Sequence, residues 1–372
     1  MYIAVVTRES ALTTLPREGR AAATHGVAST HAGNGRGATL DGVAREAGVS
    51  RATVSRVVNG SPKVSPDVRR AVERAIARLG YIPNPAARSL VTRRSDSVGL
   101  VITEPASRLF DDPFFPRLLR GISAELSSRN LQLVLLMPED AAAEQRLERY
   151  LGAGHVDGVL LVSLHDADPL PAYLQTRGVP MVVGGRLPAG VTASFVDVDN
   201  REAARSAVLH LASLGRGRIA TIAGPQDMGA GMDRLEGYLE GLAGLGRKRD
   251  DKLVAAADGF TYEGGAGAMR RLLASAPDLD AVFAASDLLA AGALSVLRAA
   301  GRSVPGDIAV VGFDDSPLAE ATEPPLTSVR QPIEDMGREL VRLLAESLER
   351  PQRATRRVLL STELVPRASS RG

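Results

Sequence analysis

From Val98 onward the sequence alternates short apolar runs with longer amphipathic segments, and this rhythm narrows the fold more than any other feature. Val98–Ile102, Leu131–Met137, Gly158–Ser163, Met181–Val183, Ile219–Ile222, Ala281–Ala284 and Ile308–Gly312 read as buried strands. Between them, segments such as Pro116–Arg129, Arg201–Leu214 and Leu288–Ala300 carry the spacing of helices with one apolar face. Strands separated by helices predict parallel sheets covered by helices on both faces. The pattern runs on for about 270 residues, generous for one sheet, so two lobes are expected. Aromatic residues are only 3% of the chain and Trp is absent, so the core should be aliphatic. The absence of Cys excludes disulfides, thiolate metal sites and cysteine nucleophiles.

Ahead of this region, Thr39–Gly80 reads as three short helices. Leu40, Val43, Ala44 and Ala47 form one apolar face, and Gly48 ends the first helix. Ser50 can cap a second helix that runs to about Asn59. Ser65-Pro66-Asp67 starts the third with a capping hydroxyl, a proline in the first turn and an acid near the positive end of the dipole. Val68, Val72, Ala75, Ile76 and Leu79 line its buried side, and Gly80 stops it. At 100° per residue the second helix has two faces, Val54, Val57 and Val58 on one and Arg51, Ala52, Ser55, Arg56 and Asn59 on the other. The second face suits a DNA major groove, because one Arg fork satisfies both acceptors of a guanine. Such a face also describes a solvated surface on a small helical subdomain, and spacing alone leaves both readings open.

Charge follows the same division. Residues 1–95 hold fifteen Lys and Arg against six Asp and Glu, a net +9, and the remainder carries −7. A basic head on an acidic body points to a polyanionic partner for the head or to a solvated basic tail. Residues 1–37 show no sustained periodicity and are expected to be a disordered extension. Met1–Val6 is apolar but runs straight into Thr7, Arg8 and Glu9, unlike a secretory signal. No apolar run reaches the roughly 18 residues that span a bilayer, so a cytoplasmic protein without a membrane partner is expected.

The body offers little catalytic chemistry. His25, His31, His155, His165 and His210 lack metal-ligand spacing, and neither a Gly-x-Ser-x-Gly elbow nor a Walker loop occurs. No catalytic residue, metal or cofactor is expected. Gly264-Gly265-Ala266-Gly267 does not open a phosphate loop after a strand and reads as structural. The mixed-sign run Arg247–Lys252 reads as a solvated loop. Polar and aromatic residues do stand at the ends of strands, where open α/β sheets bind ligands. Asp314, Ser286-Asp287, Arg234 and Phe260 are the candidates, each also readable as a cap, a turn or a surface group. Sugar sites use carboxylates and Arg for paired hydroxyls, with aromatic rings against the apolar face of the sugar.

The string Leu40–Gly60, with its Val49-Ser50-x-x-Thr53-Val54-Ser55-Arg56-Val57 core, closely resembles the head of the lactose-repressor (LacI/GalR) family. The likeness continues through Val64-Ser65, Leu79-Gly80-Tyr81, Asn84-Pro85 and Ala87-Arg88-Ser89-Leu90, and then through the rest of the chain. Gly42 stands where relatives carry a better helix former, at a cost under about 1 kcal/mol. The resemblance implies an α/β chain with an N-terminal three-helix lambda-repressor-like helix-turn-helix head and a two-lobed periplasmic-binding-protein-like (type I) body. It divides the sequence into 1–37, an extension; 38–83, the DNA-binding domain; 84–95, a hinge helix and linker; and 96–372, an effector-binding and dimerisation domain. The lobes would be 96–198 with 329–343 and 199–328 with 344–372. Arg51 and Ala52 would select bases and Arg56 would contact one, while Ser50, Thr53 and Ser55 orient the helix on phosphate or cap it. Arg88 would lie near phosphate, and Leu90 would wedge into the minor groove from a hinge that folds on DNA.

For the body, the resemblance implies an effector pocket of Phe115, Arg234, Phe260, Ser286, Asp314 and Gln331. Their motifs are Asp112-Pro113-Phe114-Phe115, Arg234-Leu235-Glu236-Gly237-Tyr238, Val311-Gly312-Phe313-Asp314-Asp315 and Thr327-Ser328-Val329-Arg330-Gln331, the last marking a strand that returns to the first lobe. Gly184-Gly185-Arg186 departs from relatives that carry Asp there, and Ala230 stands where some have a hydroxyl. Arg186 could attract an acidic or phosphorylated ligand instead. The expected function is a sequence-specific transcriptional repressor, a homodimer on palindromic double-stranded operator DNA, controlled by a sugar-like effector. A transporter's solute-binding protein, an enzyme using the cleft and a regulator answering to a protein partner are the alternatives.

Overall fold

The computed structural model describes residues 39–58, 60–82 and 94–371. The expected extension and the hinge residues Arg88 and Leu90 lie outside them.

The head consists of α1 (Leu40–Ala47), α2 (Arg51–Val58) and α3 (Pro66–Leu79). Thr39 caps α1 by accepting the Gly42 amide at 3.1 Å, and Gly48 closes it at φ 66°. Ser50 Oγ accepts the Thr53 amide at 3.1 Å and starts α2. Ser65 precedes Pro66 as expected, but its hydroxyl makes no capping bond. Val43, Val54 and Val72 interdigitate with Ala75 in a core that Val57 and Ala44 complete. A core this small depends on the alternation of faces in α2, where Val54 and Val57 are buried while Arg51, Ala52 and Arg56 are exposed.

The body is built on two six-stranded sheets. The first contains β1 (Ser97–Ile102), β2 (Gln132–Leu136), β3 (Gly158–Val162), β4 (Met181–Gly184), β5 (Ser194–Val198) and β11 (Arg357–Leu360), in the order β11-β5-β4-β3-β1-β2. All its pairings are parallel. The second contains β6 (Ile219–Ala223), β7 (Val254–Ala256), β8 (Ala281–Ala284), β9 (Ala309–Asp314), β10 (Thr327–Arg330) and β12 (Glu363–Val365), in the order β12-β10-β9-β8-β6-β7. Only β12 runs antiparallel to its neighbour. Strands buried on both faces need apolar residues at successive positions, and β3 is buried throughout as Gly-Val-Leu-Leu-Val.

Helices cover the sheets: α4 (Ala106–Asp111), α5 (Phe114–Ser128), α6 (Ala141–Gly152), α7 (Leu170–Arg177) and α13 (Ile333–Glu349) on the first. The second carries α8 (Asn200–Ser213), α9 (Gly229–Gly244), α10 (Tyr262–Ser275), α11 (Asp287–Ala299) and the short α12 (Pro317–Ala321). The expected split of the late chain is corrected here. Thr327–Arg330 pairs with β9 in the second sheet, so the chain crosses only after Gln331. From there α13 buries Ile333, Met336, Leu340, Val341 and Leu344 in the first lobe, which therefore holds residues well beyond 343. β11 extends the first sheet before β12 rejoins the second. The lobes are thus linked by three crossings, after β5, β10 and β11.

The glycine-rich run Gly264–Gly267 lies inside α10, where it lets α11 approach. A Cβ on Gly265 would sit 2.1 Å from the Leu289 carbonyl oxygen, whereas one on Gly267 would meet nothing nearer than 3.7 Å. Gly265→Ala is therefore expected to lower unfolding free energy by about 1–3 kcal/mol. Gly267→Ala should raise it by about 0.5–1 kcal/mol by stiffening the unfolded chain. Urea melts of the two variants beside the parent test this; equal effects would contradict the packing.

Candidate functional site

Between the two lobes the C-terminal ends of the parallel strands face each other, the place where such sheets hold ligands. The cavity there measures about 110 Å³, on the order of ten water-sized positions. Phe115, Arg234, Phe260, Asp314 and Gln331 all line it. Ser286 does not: it is the N-cap of α11, and its Oγ accepts the Leu289 amide at 3.2 Å. A polar residue closing a strand had two uses open to it, and the helix start took this one.

Arg234 is fixed on all sides. Its Nε donates to Asn200 Oδ1 at 2.9 Å and its Nη1 to the Ala285 carbonyl at 2.6 Å, with Asp314 Oδ1 at 3.8 Å. The guanidinium also lies 3.7 Å over the Phe313 ring, a favourable cation–π arrangement. Burial pushes the Arg234 cation down and the Asp314 carboxyl up, and the attraction between them opposes both shifts. Gln331 Nε2 donates to Asp314 Oδ1 at 2.6 Å. Asp314 adopts φ 103° and Asp315 φ 46°, backbone states that a non-glycine residue holds only when its surroundings enforce them. Buried Asp287 does so: it accepts the Ser316 amide at 2.7 Å and the Ser328 hydroxyl at 2.6 Å, and Ser328 Oγ accepts the Asp315 amide.

Several wall residues were not singled out from sequence. Asp197, next to last in β5, accepts the Val198 amide at 2.8 Å and Asn200 Nδ2 at 3.0 Å. Burial raises its carboxyl to about 6. Arg108 projects from α4, pairing through Nη1 with Glu104 at 2.8 Å and through Nη2 with Asp112 at 3.0 Å. Its Nε is buried and has no partner, an arrangement that costs about 1–3 kcal/mol unless an acceptor arrives. The spacing Glu104, Arg108, Asp112 at i, i+4, i+8 was the available signal. Arg186 lines the cavity but pairs with Asp233 across the mouth at 3.1 Å, which removes the basis for treating it as an open anion site.

Further bonds span the lobes. Arg117 Nη1 donates to the carbonyls of Asp314 and Asp315, each at 3.2 Å, and His165 Nδ1 meets Asp227 Oδ2 at 2.8 Å. The strained turn that aims the Asp314 side chain into the cavity therefore also holds the opposite lobe through its backbone.

On the head, Ser50, Arg51, Ala52 and Arg56 are exposed along one side of α2, with Thr53 and Ser55 half-buried beside them. Ser50 and Thr53 hydroxyls meet at 2.9 Å at the helix start. Arg51 rests 3.7 Å from Asp41, both side chains largely in solvent. Among the described residues no helix is long and apolar enough to cross a membrane.

A helix-turn-helix head joined in one chain to a two-lobed ligand cleft defines a ligand-responsive DNA-binding regulator. Two family models match, one described as bacterial regulatory proteins, lacI family, over residues 39–84, and one as a periplasmic binding protein-like domain over residues 208–370. The HTH-type transcriptional regulator CelR of Thermobifida fusca is 54% identical over 334 residues, which cover 89% of this chain and 98% of that protein. A solved complex of transcriptional regulator CelR with cellobiose aligns with a TM-score of 0.72 at 51% identity, covering 89% of this chain and 99% of its own. The lac repressor dimer bound to operator and the anti-inducer ONPF aligns with a TM-score of 0.77 at 27% identity, covering 89% and 98%. The chain belongs to the lacI family of bacterial regulatory proteins and is a DNA-binding transcriptional regulator.

The Asp197 carboxyl gives the cleft a pH signature. Its folded value of about 6 lies above the ordinary 3.8, so its contribution to stability is complete below the unfolded value and is lost as pH rises through 6. Asp197→Asn keeps an oxygen for both donors and removes this loss. Its stability relative to the parent should rise by on the order of 2 kcal/mol between pH 4 and pH 7. Denaturant melts across that range check it, and a constant difference would refute the assignment.

Proposed function

We propose that this regulator is a cytoplasmic homodimeric repressor that binds a neutral sugar in the cleft and reads a palindromic operator through α2. The single observation that carries the sugar reading is the pairing of charge on the cleft wall. Arg108, Arg186 and Arg234 each face a carboxylate already, at 2.8, 3.1 and 3.8 Å, and Asp197 adds a further acid. An anionic ligand entering this wall would be desolvated without gaining an uncommitted cation. A hydroxyl both donates and accepts, so it can bridge such groups, while Phe115 and Phe260 offer ring faces to the apolar side of a pyranose. The related CelR structure with cellobiose makes that disaccharide the first candidate. The bound sugar leaves unchanged, since among the described residues no nucleophile and base are paired in the cleft wall.

Calorimetry with cellobiose, glucose, maltose and cellobionate tests the reading. A neutral disaccharide should bind at least tenfold more tightly than cellobionate, about 1.4 kcal/mol; tighter binding of the acid would overturn it. The sugar should also be recovered intact after prolonged incubation.

For DNA, Arg51, Ala52 and Arg56 are the base-reading set, with Ser50, Thr53 and Ser55 orienting the helix. Arg88 and Leu90 stand as the hinge contacts that the family resemblance implies. Exposure of Arg51 in the first turn of α2 supports its role. Arg51→Ala is expected to weaken operator binding by about 1–3 kcal/mol while leaving random-sequence binding nearly unchanged. Fluorescence anisotropy at fixed salt separates the two; parallel losses would assign Arg51 to phosphate.

A further inference from the structure

We propose that Arg108 reads the effector directly, its Nε–H donating to one oxygen of the bound sugar and so selecting among neutral sugars by the position of that oxygen. The inference rests on the neutral-sugar reading of the cleft and deepens it.

A guanidinium carries five donors in a fixed plane. In Arg108 two nitrogens are committed, Nη1 to Glu104 Oε1 at 2.8 Å and Nη2 to Asp112 Oδ2 at 3.0 Å. Glu104 is held in turn by the Ser163 hydroxyl at 2.7 Å, and Asp112 caps the Phe114 amide at 2.9 Å. The fork is therefore fixed in orientation and its charge is matched before any ligand arrives. Each of those nitrogens keeps a second N–H, whereas Nε is cut off from solvent and has no acceptor in the protein. Among the described residues five buried side-chain polar atoms lack a partner, and Arg108 Nε alone belongs to a residue of the cavity wall. The guanidinium carbon lies 5.7 Å from the ring centre of Phe115 in the first lobe and 5.7 Å from that of Phe260 in the second. The guanidinium thus sits at the seam, near the two rings that would face the sugar.

This placement selects chemistry as well as position. Glu104 and Asp112 flank the group, so a ligand carboxylate approaching Nε would meet two acids, whereas a hydroxyl or ring oxygen would not. A donor whose plane is fixed by two ion pairs cannot follow an oxygen that an epimer moves elsewhere.

Lysine keeps the charge but not the Nε–H at that place, so Arg108→Lys separates reading from structure. Cellobiose, lactose and the monodeoxy derivatives of cellobiose form the panel, measured by calorimetry on both proteins. Relative to the parent, the variant should lose about ten- to hundredfold in cellobiose affinity. One monodeoxy sugar should be equally weak for the parent and lose nothing further in the variant, the mark of a shared bond. In the parent protein the Arg108 Nε–H resonance should shift and exchange more slowly with cellobiose bound, a reading that survives if the variant does not fold. Unchanged cellobiose affinity in Arg108→Lys, or an unmoved Nε–H resonance at saturation, overturns this inference alone. A parent protein that binds no neutral sugar of the panel overturns the sugar reading, and this inference with it.

Discussion

A buried cation on the cleft floor organises the body. Arg234 is 5% exposed, and a guanidinium so far from water must be surrounded by compensating groups. Asn200 and the Ala285 carbonyl take its donors, Phe313 stacks beneath it, and Asp314 and Asp197 supply the opposing charge. These groups come from β5, α8, β9 and the residue that follows β8, so satisfying one side chain brings four parts of the chain to a common point. The need for Asp314 near Arg234 explains the positive φ at that residue, and the turn explains the buried Asp287 beneath it. Polarity in this cleft is thus a chain of obligations that begins at Arg234 and ends at backbone amides.

The same turn joins recognition to motion. Asp314 presents its carboxyl to the cavity and its carbonyl to Arg117 of the opposite lobe. A ligand that reorients the carboxyl acts on a residue whose backbone already holds the lobes together. Three crossing segments hinge the lobes, and His165 with Asp227 and Arg186 with Asp233 mark where a relative displacement would be felt. Coupling between effector and operator requires the two lobe arrangements to differ in affinity for each, and these polar pairs are where that difference can reside.

Much of this was legible in the sequence, for reasons that can be stated. Strands such as Val98–Ile102 and Ala281–Ala284 are buried on both faces and advertise themselves as unbroken apolar runs. Ser194–Val198 did not, because a buried Asp197 interrupts its pattern, and β7, β11 and β12 are too short or too exposed to carry one. Six residues of α4 cannot establish a helical period, which hid Arg108 although its acid partners lie four residues to either side. Motifs point to Phe115, Arg234, Asp314 and Gln331, and a place after a strand points to Phe260; the structure brings all five to one cavity. Ser286 was placed with them on the same logic of strand ends, but capping a helix claimed its hydroxyl. The split of the late chain comes from the family resemblance, and nothing in the apolar spacing of Ile333–Glu349 says which sheet that helix will cover.

The interleaving of the lobes also has a consequence for how the molecule is made. The head completes its core within residues 40–81, whereas the first sheet awaits Arg357–Leu360 and the second awaits Glu363–Val365. Chains fold from the N-terminus as they leave the ribosome, so the part that reads DNA is finished while the part that governs it still lacks an edge of each sheet. Birth order therefore places the actuator ahead of its controller, whose two sheets gain their closing edges only with β11 and β12.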